Sequence, residues 1–192
     1  MKKGNLMKEI VMNKKKSFTM LELIIVIGVI AILVGLSVPA FIKARVEGKN
    51  TVAKASMNQI ILGITSYEAQ YGFLPFYPTY NTEDIWVNSP VDDLYDNLMQ
   101  TLDGSTTNGL NPRGLSFLEL TNGDLKDPWG NDYQVSFDMK NDNKVDASVV
   151  AGTSVDLSVD IAVWSKGNDG KHDIAVSDAE ENLDNVNSWG NK

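Results

Sequence analysis

One carboxylate, Glu22, stands at the edge of an otherwise apolar stretch of the sequence. The residues that follow it, Leu23 to Ile42, form a run of 20 without a charged side chain. A charge at membrane depth costs about 2.5–3.5 kcal/mol even on lenient insertion scales, so a carboxylate there usually has a function. Glu22 is therefore the first candidate functional residue.

A second group of polar side chains lies in residues 164–192, which show no strong apolar periodicity. Ca²⁺ takes about six to eight oxygen ligands, and this segment is dense in them. On spacing alone, a solvated acidic loop and a calcium loop both stay open, and the spacing is not that of an EF-hand. The oxygen-bearing side chains are Asp169, Asp173, Asp178, Glu180, Glu181 and Asp184, with Asn168, Asn182, Asn185 and Asn187.

The sequence offers no arrangement of residues typical of an enzyme. It has no cysteine and a single histidine, His172, which has no G-x-S-x-G partner. The paired carboxylates lie in the tail, without an apolar pocket to shift their pKa values. The chain is therefore predicted not to be an enzyme, and His172 is expected to be a surface residue rather than a metal ligand.

The charges are divided unevenly along the chain. Residues 1–17 carry a net charge of +5, whereas residues 18–192 hold 11 basic and 24 acidic side chains, a net charge of −13. Proteins that bind nucleic acid present a basic surface to the phosphates. We therefore expect no nucleic-acid partner.

The apolar run sets the relation of the chain to a membrane. Its 20 residues match the length of about 20 that a helix needs to cross a hydrocarbon core. Lysines before the run predict a cytoplasmic start and an exported remainder. A cleaved secretory signal is disfavoured because its apolar core would be shorter. A simple signal anchor remains an alternative, although it gives Glu22 no role.

The helical pattern continues beyond the membrane segment. Larger apolar residues recur at spacings of three, four or seven, which predicts one buried helical face. Gly72 and Pro75 then end the helix, so a single helix is predicted over residues 18–71. The stripe consists of Val46, Ala53, Met57, Ile60, Ile64, Tyr67 and Tyr71.

The rest of the chain predicts a small antiparallel sheet packed on this stripe, an α+β fold. A short helix is predicted over 90–102, and 115–121 is left open between a helical turn and an edge strand. Strands are predicted over 132–139, 144–151 and 154–165, the last with one buried and one wet face. "DPWGNDY" at 127–133 predicts a turn with Trp129 as a half-buried anchor.

The stretch "KKKSFTMLEL" resembles the class III signal of type IV pilins and type II secretion pseudopilins. The resemblance implies that residues 1–17 are a leader, which a prepilin peptidase removes between Ser17 and Phe18 before methylating Phe18. Residues 18–42 would then be the transmembrane and assembly helix, and 43–192 a periplasmic pilin-like domain. In the polymer, Glu22 would neutralise the new amine at Phe18 of a neighbouring copy.

Further motifs resemble the major pseudopilin of type II secretion: "YGFLP", "DPWG", "SKGNDG" and "LDNVNSW". The resemblance implies a C-terminal calcium loop with Ser165, Asp169, Asp184 and Asn185 as Ca²⁺ ligands. It also implies an inner-membrane, single-pass subunit, surrounded by lipid before it assembles into a periplasmic pseudopilus. The implied partners are copies of itself, minor pseudopilins, the prepilin peptidase and the inner-membrane secretion platform. The alternative is a type IV or competence pilin of a surface fibre.

Overall fold

The computed structural model describes residues 18–76, 84–87, 94–120, 125–151, 153–172 and 180–189. By its contacts the chain forms two compact units, residues 1–45 and 46–192. Helix α1 is Met20–Tyr71, 52 residues long, which confirms the predicted long N-terminal helix. The predicted α+β architecture is also confirmed, because a four-stranded antiparallel sheet follows in the second unit.

In the first unit, the described part of α1 buries no side chain. Its large apolar residues are 45–84% exposed, from Met20 to Ile42. Pro39 lies inside α1 without interrupting it. This is the one helix of the described residues that is long and apolar enough to cross a membrane, with a mean hydropathy of 2.8 in its most apolar window.

In the second unit, α1 buries the predicted stripe against the domain. The buried residues are Ala53, Met57, Ile60, Gly63, Ile64 and Tyr67. Gly63 packs closely on the domain, because a Cβ there would lie 3.2 Å from the carbonyl oxygen of Phe117. The stripe is shorter than predicted, since Val46 is 48% exposed. As predicted, Gly72 ends the helix with a left-handed φ of 79°, and its N–H donates to the carbonyl of Glu68.

The sheet consists of β1 (Ile85–Val87), β2 (Gln134–Phe137), β3 (Ile161–Ser165) and β4 (Val186–Asn187). Each strand pairs antiparallel with the next, in the order β1-β2-β3-β4. Helix α2, Leu94–Leu102, buries Leu98 and Leu102 in the same core as α1. Residues 90–93 of the predicted helix 90–102 lie outside the described residues.

The predicted strand over residues 144–151 is wrong. Val145 makes only an isolated bridge with Leu157, and Ala147–Val149 form a 3-10 turn. Carboxylates take the backbone donors that a strand ladder would use. The N–H of Asp146 donates to Asp84 Oδ2 at 2.7 Å, and that of Ala147 donates to Asp156 Oδ1 at 3.1 Å.

Of the strand predicted over residues 154–165, only β3 forms. The prediction that one face of this strand is exposed to solvent is also wrong. Val155 is 65% exposed, and its N–H donates to the Thr153 hydroxyl instead of a neighbouring strand. Within β3, Ala162 and Trp164 are as fully buried as Val163. A second apolar cluster covers the outer face of the sheet, and it includes Trp86, Val145, Val150, Ala151 and Trp189. Residues 115–120 form neither a helix nor a strand.

Candidate functional site

The N-terminal candidates lie at the start of α1. The N–H of Glu22 donates to the hydroxyl of Thr19 at 3.2 Å, so Thr19 acts as the N-cap of the helix. Thr19 and Glu22 thus have the spacing of a capping box, Thr-x-x-Glu. Phe18 is 77% exposed, and Ser17 lies outside the described residues. The sequence analysis identified Glu22 but missed Thr19, although the capping-box spacing is visible in the sequence.

The Glu22 side chain has no protein partner within the described part of the chain. Among the described residues, no side-chain hydrogen bond and no ion pair involves its carboxylate. The α1 side chains from Leu23 to Ile42 are uncharged, and Ser37 is the one polar residue in that run. A carboxylate on such a surface needs a cation or a donor from elsewhere once water is removed.

At the other end of the chain, Asp127 joins two loops. This carboxylate is 5% exposed. Its Oδ1 accepts the N–H groups of Trp129 at 2.9 Å and Asn131 at 2.7 Å, which shapes the Asp-Pro-Trp-Gly turn. Its Oδ2 accepts the Ser165 hydroxyl at 2.5 Å, which ties this turn to the end of β3. The sequence analysis read the motif as a turn and did not assign Asp127.

The turn after β3 packs directly on the segment that leads into β4. The N–H groups of Asn168 and Asp169 donate to Asp184 Oδ2 at 2.7 and 3.0 Å. Gly167 has a φ of 65°, and a Cβ at this position would lie 2.3 Å from the carbonyl oxygen of Asp184. Only glycine allows this approach, so the glycine of "SKGNDG" is needed to pair the two loops.

Three oxygen atoms converge beside this contact. As placed, the amide oxygen of Asn185 lies 3.2 Å from the carbonyl oxygen of Lys171 and 3.3 Å from that of Lys166. Turning the amide would make both contacts hydrogen bonds, but it would also bring the Asn185 oxygen within 2.9 Å of Asn182 Oδ1. In the present orientation the Asn185 amide nitrogen instead donates to that Asn182 oxygen.

A cation bound between these oxygens is the other explanation for their close approach. Calcium–oxygen distances of about 2.3–2.6 Å place adjacent ligand oxygens at right angles about 3.3–3.7 Å apart. The observed spacings of 3.2 and 3.3 Å are close to that range. In addition, Asp184 Oδ1 is buried and has no hydrogen-bond partner within the described residues. An unpaired buried carboxylate oxygen is costly, so this oxygen and the carbonyls that converge on the adjacent residue, Asn185, fit a calcium loop.

The structure therefore brings together part of the predicted ligand set. Asp184 and Asn185 carry the oxygen atoms just described. Asp169 is exposed, and one of its oxygens accepts the N–H of Lys171 at 2.8 Å. The Ser165 hydroxyl is engaged with Asp127 and also accepts the N–H of Gly167.

The candidate oxygens are mostly neutral. Among the described residues, no cluster of three or more Asp, Glu, His or Cys side chains is arranged to hold a metal ion. The carbonyls of Lys166 and Lys171 were not predicted, because backbone ligands leave no mark in side-chain spacing.

His172 packs against aromatic rings of the described residues. Its ring centroid lies 5.0 Å from Trp86 in an edge-on arrangement and 6.5 Å from Trp164. This single histidine is half-buried. Its contacts indicate a packing role on the outer face of the sheet.

Two pKa shifts occur near the joined loops. Burial lowers the pKa of the Lys166 ammonium, and the carboxylates of Asp132 and Asp127 oppose that effect. Burial also raises the pKa of the Tyr133 phenol. Both shifts therefore follow from the burial of these two side chains in the folded domain.

Comparison with known proteins locates one similarity, at the N-terminus. Residues 12–38 match the prokaryotic N-terminal methylation motif. No curated protein and no solved structure matches the chain significantly. The matched segment contains Ser17, Phe18 and Glu22 and the first 16 of the 20 residues of the apolar run. It indicates a type IV pilin-like subunit that is processed as a prepilin, and it is consistent with a single-pass membrane anchor.

Proposed function

We propose that this pilin-like, prepilin-processed subunit is the major pseudopilin of a type II secretion system. In this proposal the leader is removed between Ser17 and Phe18, and the amine of Phe18 is methylated. Before assembly, the subunit is inserted in the inner membrane with its C-terminal domain in the periplasm. From there it polymerises with copies of itself and with minor pseudopilins on the secretion platform.

One observation carries the proposal: the methylation motif covers the start of an apolar helical segment, residues 18–42, whose single carboxylate, Glu22, has no side-chain partner within the described residues. Cleavage before Phe18 creates an amine in the same apolar layer. At an effective dielectric constant of about 20 and a separation of about 4 Å, two opposite unit charges attract by on the order of 4 kcal/mol. An unpaired charge in that layer is costly, so a bond between neighbouring copies favours one register of assembly.

The C-terminal loops favour secretion over the runner-up, a type IV or competence pilin of a surface fibre. Many such pilins close their C-terminal region with a disulfide, whereas this chain has no cysteine. Here the Asp127 carboxylate and the contact between Gly167 and Asp184 join the loops instead. Hydrogen bonds to carboxylates and close backbone packing thus hold together the region that a disulfide closes in those pilins.

The same proposal includes a structural Ca²⁺. Asp184, Asn185 and the carbonyls of Lys166 and Lys171 would hold it, with Asp169 adjacent in the same turn. The ion would supply a positive charge that offsets the repulsion between these oxygens. Coordination would therefore contribute to the free energy of folding. Because only one of the converging side chains is a carboxylate, we expect the weak affinity of extracellular modules, with a Kd of about 10⁻⁴–10⁻³ M.

Deleting the gene in its own bacterium distinguishes the two candidate functions. We expect folded secreted proteins to accumulate in the periplasm, because no filament forms to move them through the outer membrane. The measurement is the ratio of extracellular to periplasmic cargo, with complementation by the intact gene as the control. Normal export together with the loss of a surface fibre would instead identify the protein as a pilin.

A further inference from the structure

Two unlike surface patches of the folded domain carry opposite charge, and each also exposes apolar side chains. The first, the lysine groove, is lined by Val46, Asn50, Lys54, Trp129 and Leu183. Leu183 is 79% exposed and Val46 is 48% exposed, so the groove presents apolar surface to solvent. Lys49 stands beside it with its ammonium 5.3 Å from the centre of the Trp129 ring.

The lysine groove is positively charged where it is accessible. Asp184 also lines it, but one oxygen of this carboxylate accepts two backbone N–H groups and the other is buried. Lys54 is exposed and makes no ion pair within the described residues. The groove therefore offers a free ammonium beside exposed apolar side chains.

The second patch, the acidic pocket, has the opposite character. It is lined by three carboxylates, those of Glu68, Asp138 and Asp160, and no lysine or arginine lines it. Phe73 lies among them and is 46% exposed. Glu68 and Asp160 are exposed, and neither forms an ion pair within the described residues. An apolar ring surrounded by carboxylates suits an apolar partner surface that carries ammonium groups.

The two patches lie at opposite ends of the part of α1 that packs on the domain. Val46 precedes Glu68 by 22 residues on one continuous helix, which corresponds to about 33 Å along its axis. The patches therefore cannot meet within one chain. They can meet only between two copies, each placing its lysine groove over the acidic pocket of the next.

We propose that the lysine groove of one copy docks on the acidic pocket of the next, in a head-to-tail contact between folded domains. Because the two surfaces differ, the contact is heterologous, and repetition of such a contact builds an open polymer rather than a closed dimer. The strong acidity of the domain supports this pairing. Residues 55–192 carry 7 basic and 22 acidic side chains, so most other faces of two copies repel each other.

This contact rests on the proposed function, and it adds a second bond to the one that Glu22 makes. The bond of Glu22 fixes how the apolar helices associate, whereas the contact between patches fixes the direction and stacking of the domains. Because most other faces of the domain repel each other, the pairing of the lysine groove with the acidic pocket favours one orientation between two copies. If lipid head groups occupied the lysine groove instead, the patches of two copies would not meet and cross-linking would give no dimer.

The absence of cysteine from the chain allows a direct test by disulfide cross-linking. The full-length chain is produced in cells as two single variants together, Leu183→Cys and Phe73→Cys, and exposed to a mild oxidant. A disulfide requires Cα atoms about 4.4–6.8 Å apart, so a covalent dimer reports contact between the patches of two copies. We expect a dimer from the mixture and none from either variant alone. Lys54→Glu should lower its yield roughly two- to fivefold, as for an exposed ion pair, and Glu68→Lys in the other copy should restore it.

The matched control uses Leu62→Cys with Val155→Cys, because both side chains are 65% exposed and lie in neither patch. No dimer is expected from this pair, nor from the first pair when Glu22→Ala is also present. Filaments that form without the Leu183–Phe73 dimer would overturn the head-to-tail contact and leave the proposed function intact. Equal dimer from the control pair would also overturn it. Absence of filaments together with an uncut leader would overturn both.

Discussion

Replacing Glu22 with alanine is expected to abolish filament assembly while the protein stays folded and membrane-inserted. The substitution removes the one carboxylate from the apolar segment and leaves the amine of Phe18 without its proposed partner in each neighbouring copy. A loss on the order of 4 kcal/mol per contact corresponds to roughly a 10³-fold weaker association. Filaments sheared from cells and counted by electron microscopy measure the effect, together with the export of folded proteins.

Two variants make this result specific to the position of the charge. Glu47→Ala removes an exposed carboxylate from the same helix, beyond the apolar run, and should leave assembly close to the wild-type level. Glu22→Asp keeps the charge on a shorter side chain and should assemble partially. Assembly of Glu22→Ala at the wild-type level would contradict the proposed bond and reduce Glu22 to a tolerated interfacial residue.

Calcium is expected to raise the melting temperature of the mature protein. If the Kd is about 10⁻⁴ M, roughly 10 mM Ca²⁺ stabilises the folded state by about 2.7 kcal/mol, since it is present at about 100 times the Kd. For a domain of this size, that corresponds to a shift of roughly 5–10 °C. The measurement is thermal unfolding of the detergent-solubilised protein in excess chelator and in Ca²⁺.

The matched variants for this experiment are Asp184→Asn and Asp96→Asn. The first keeps the shape of the side chain but removes the charge whose buried oxygen lacks a partner, so the shift with Ca²⁺ should largely disappear. The second removes an exposed charge on α2 and should keep the full shift. Equal melting temperatures of the wild-type protein in chelator and in Ca²⁺ would exclude the ion, and the Asn185 amide would then be the rotated one.

The long helix could be predicted from the sequence because its signals are local. An uncharged run, a stripe at helical spacing and the Gly72 cap each act within a few turns of the chain. The structure bears these signals out from Met20 to Tyr71. The sheet was harder to predict, since β1 and β4 have only three and two residues and depend on partners distant in the chain.

The errors in the sheet have an identifiable origin in its polar residues. The alternation of residues 154–160 is typical of a strand, but the Thr153 hydroxyl accepts the N–H of Val155. In the other predicted strand, 144–151, the carboxylates of Asp84 and Asp156 accept the N–H groups of Asp146 and Ala147. Side-chain acceptors that compete with a ladder from distant positions are not visible in a periodicity. The face of β3 that was predicted to be exposed is buried, because an apolar cluster formed by residues distant in the chain covers it.

The candidate calcium loop was partly accessible to prediction. Asp184 and Asn185 could be named from the motif, and the structure shows a partnerless oxygen on one and converging carbonyls at the other. The carbonyl oxygens of Lys166 and Lys171 could not be named, because any residue type supplies a carbonyl. The role of Asp127 depends on bringing residues 127 and 165 together, which only the fold does.

The most direct test of the account is mass spectrometry of the N-terminal peptide of the membrane-extracted protein, with and without the prepilin peptidase. The central claim is that maturation creates a methylated amine at Phe18, the partner of Glu22 in the next copy. With the peptidase, we expect the chain to begin at Phe18 and to carry one additional methyl group; without it, the leader should remain. A mature chain that keeps its leader, or that begins at any other residue in the presence of the peptidase, would contradict the account.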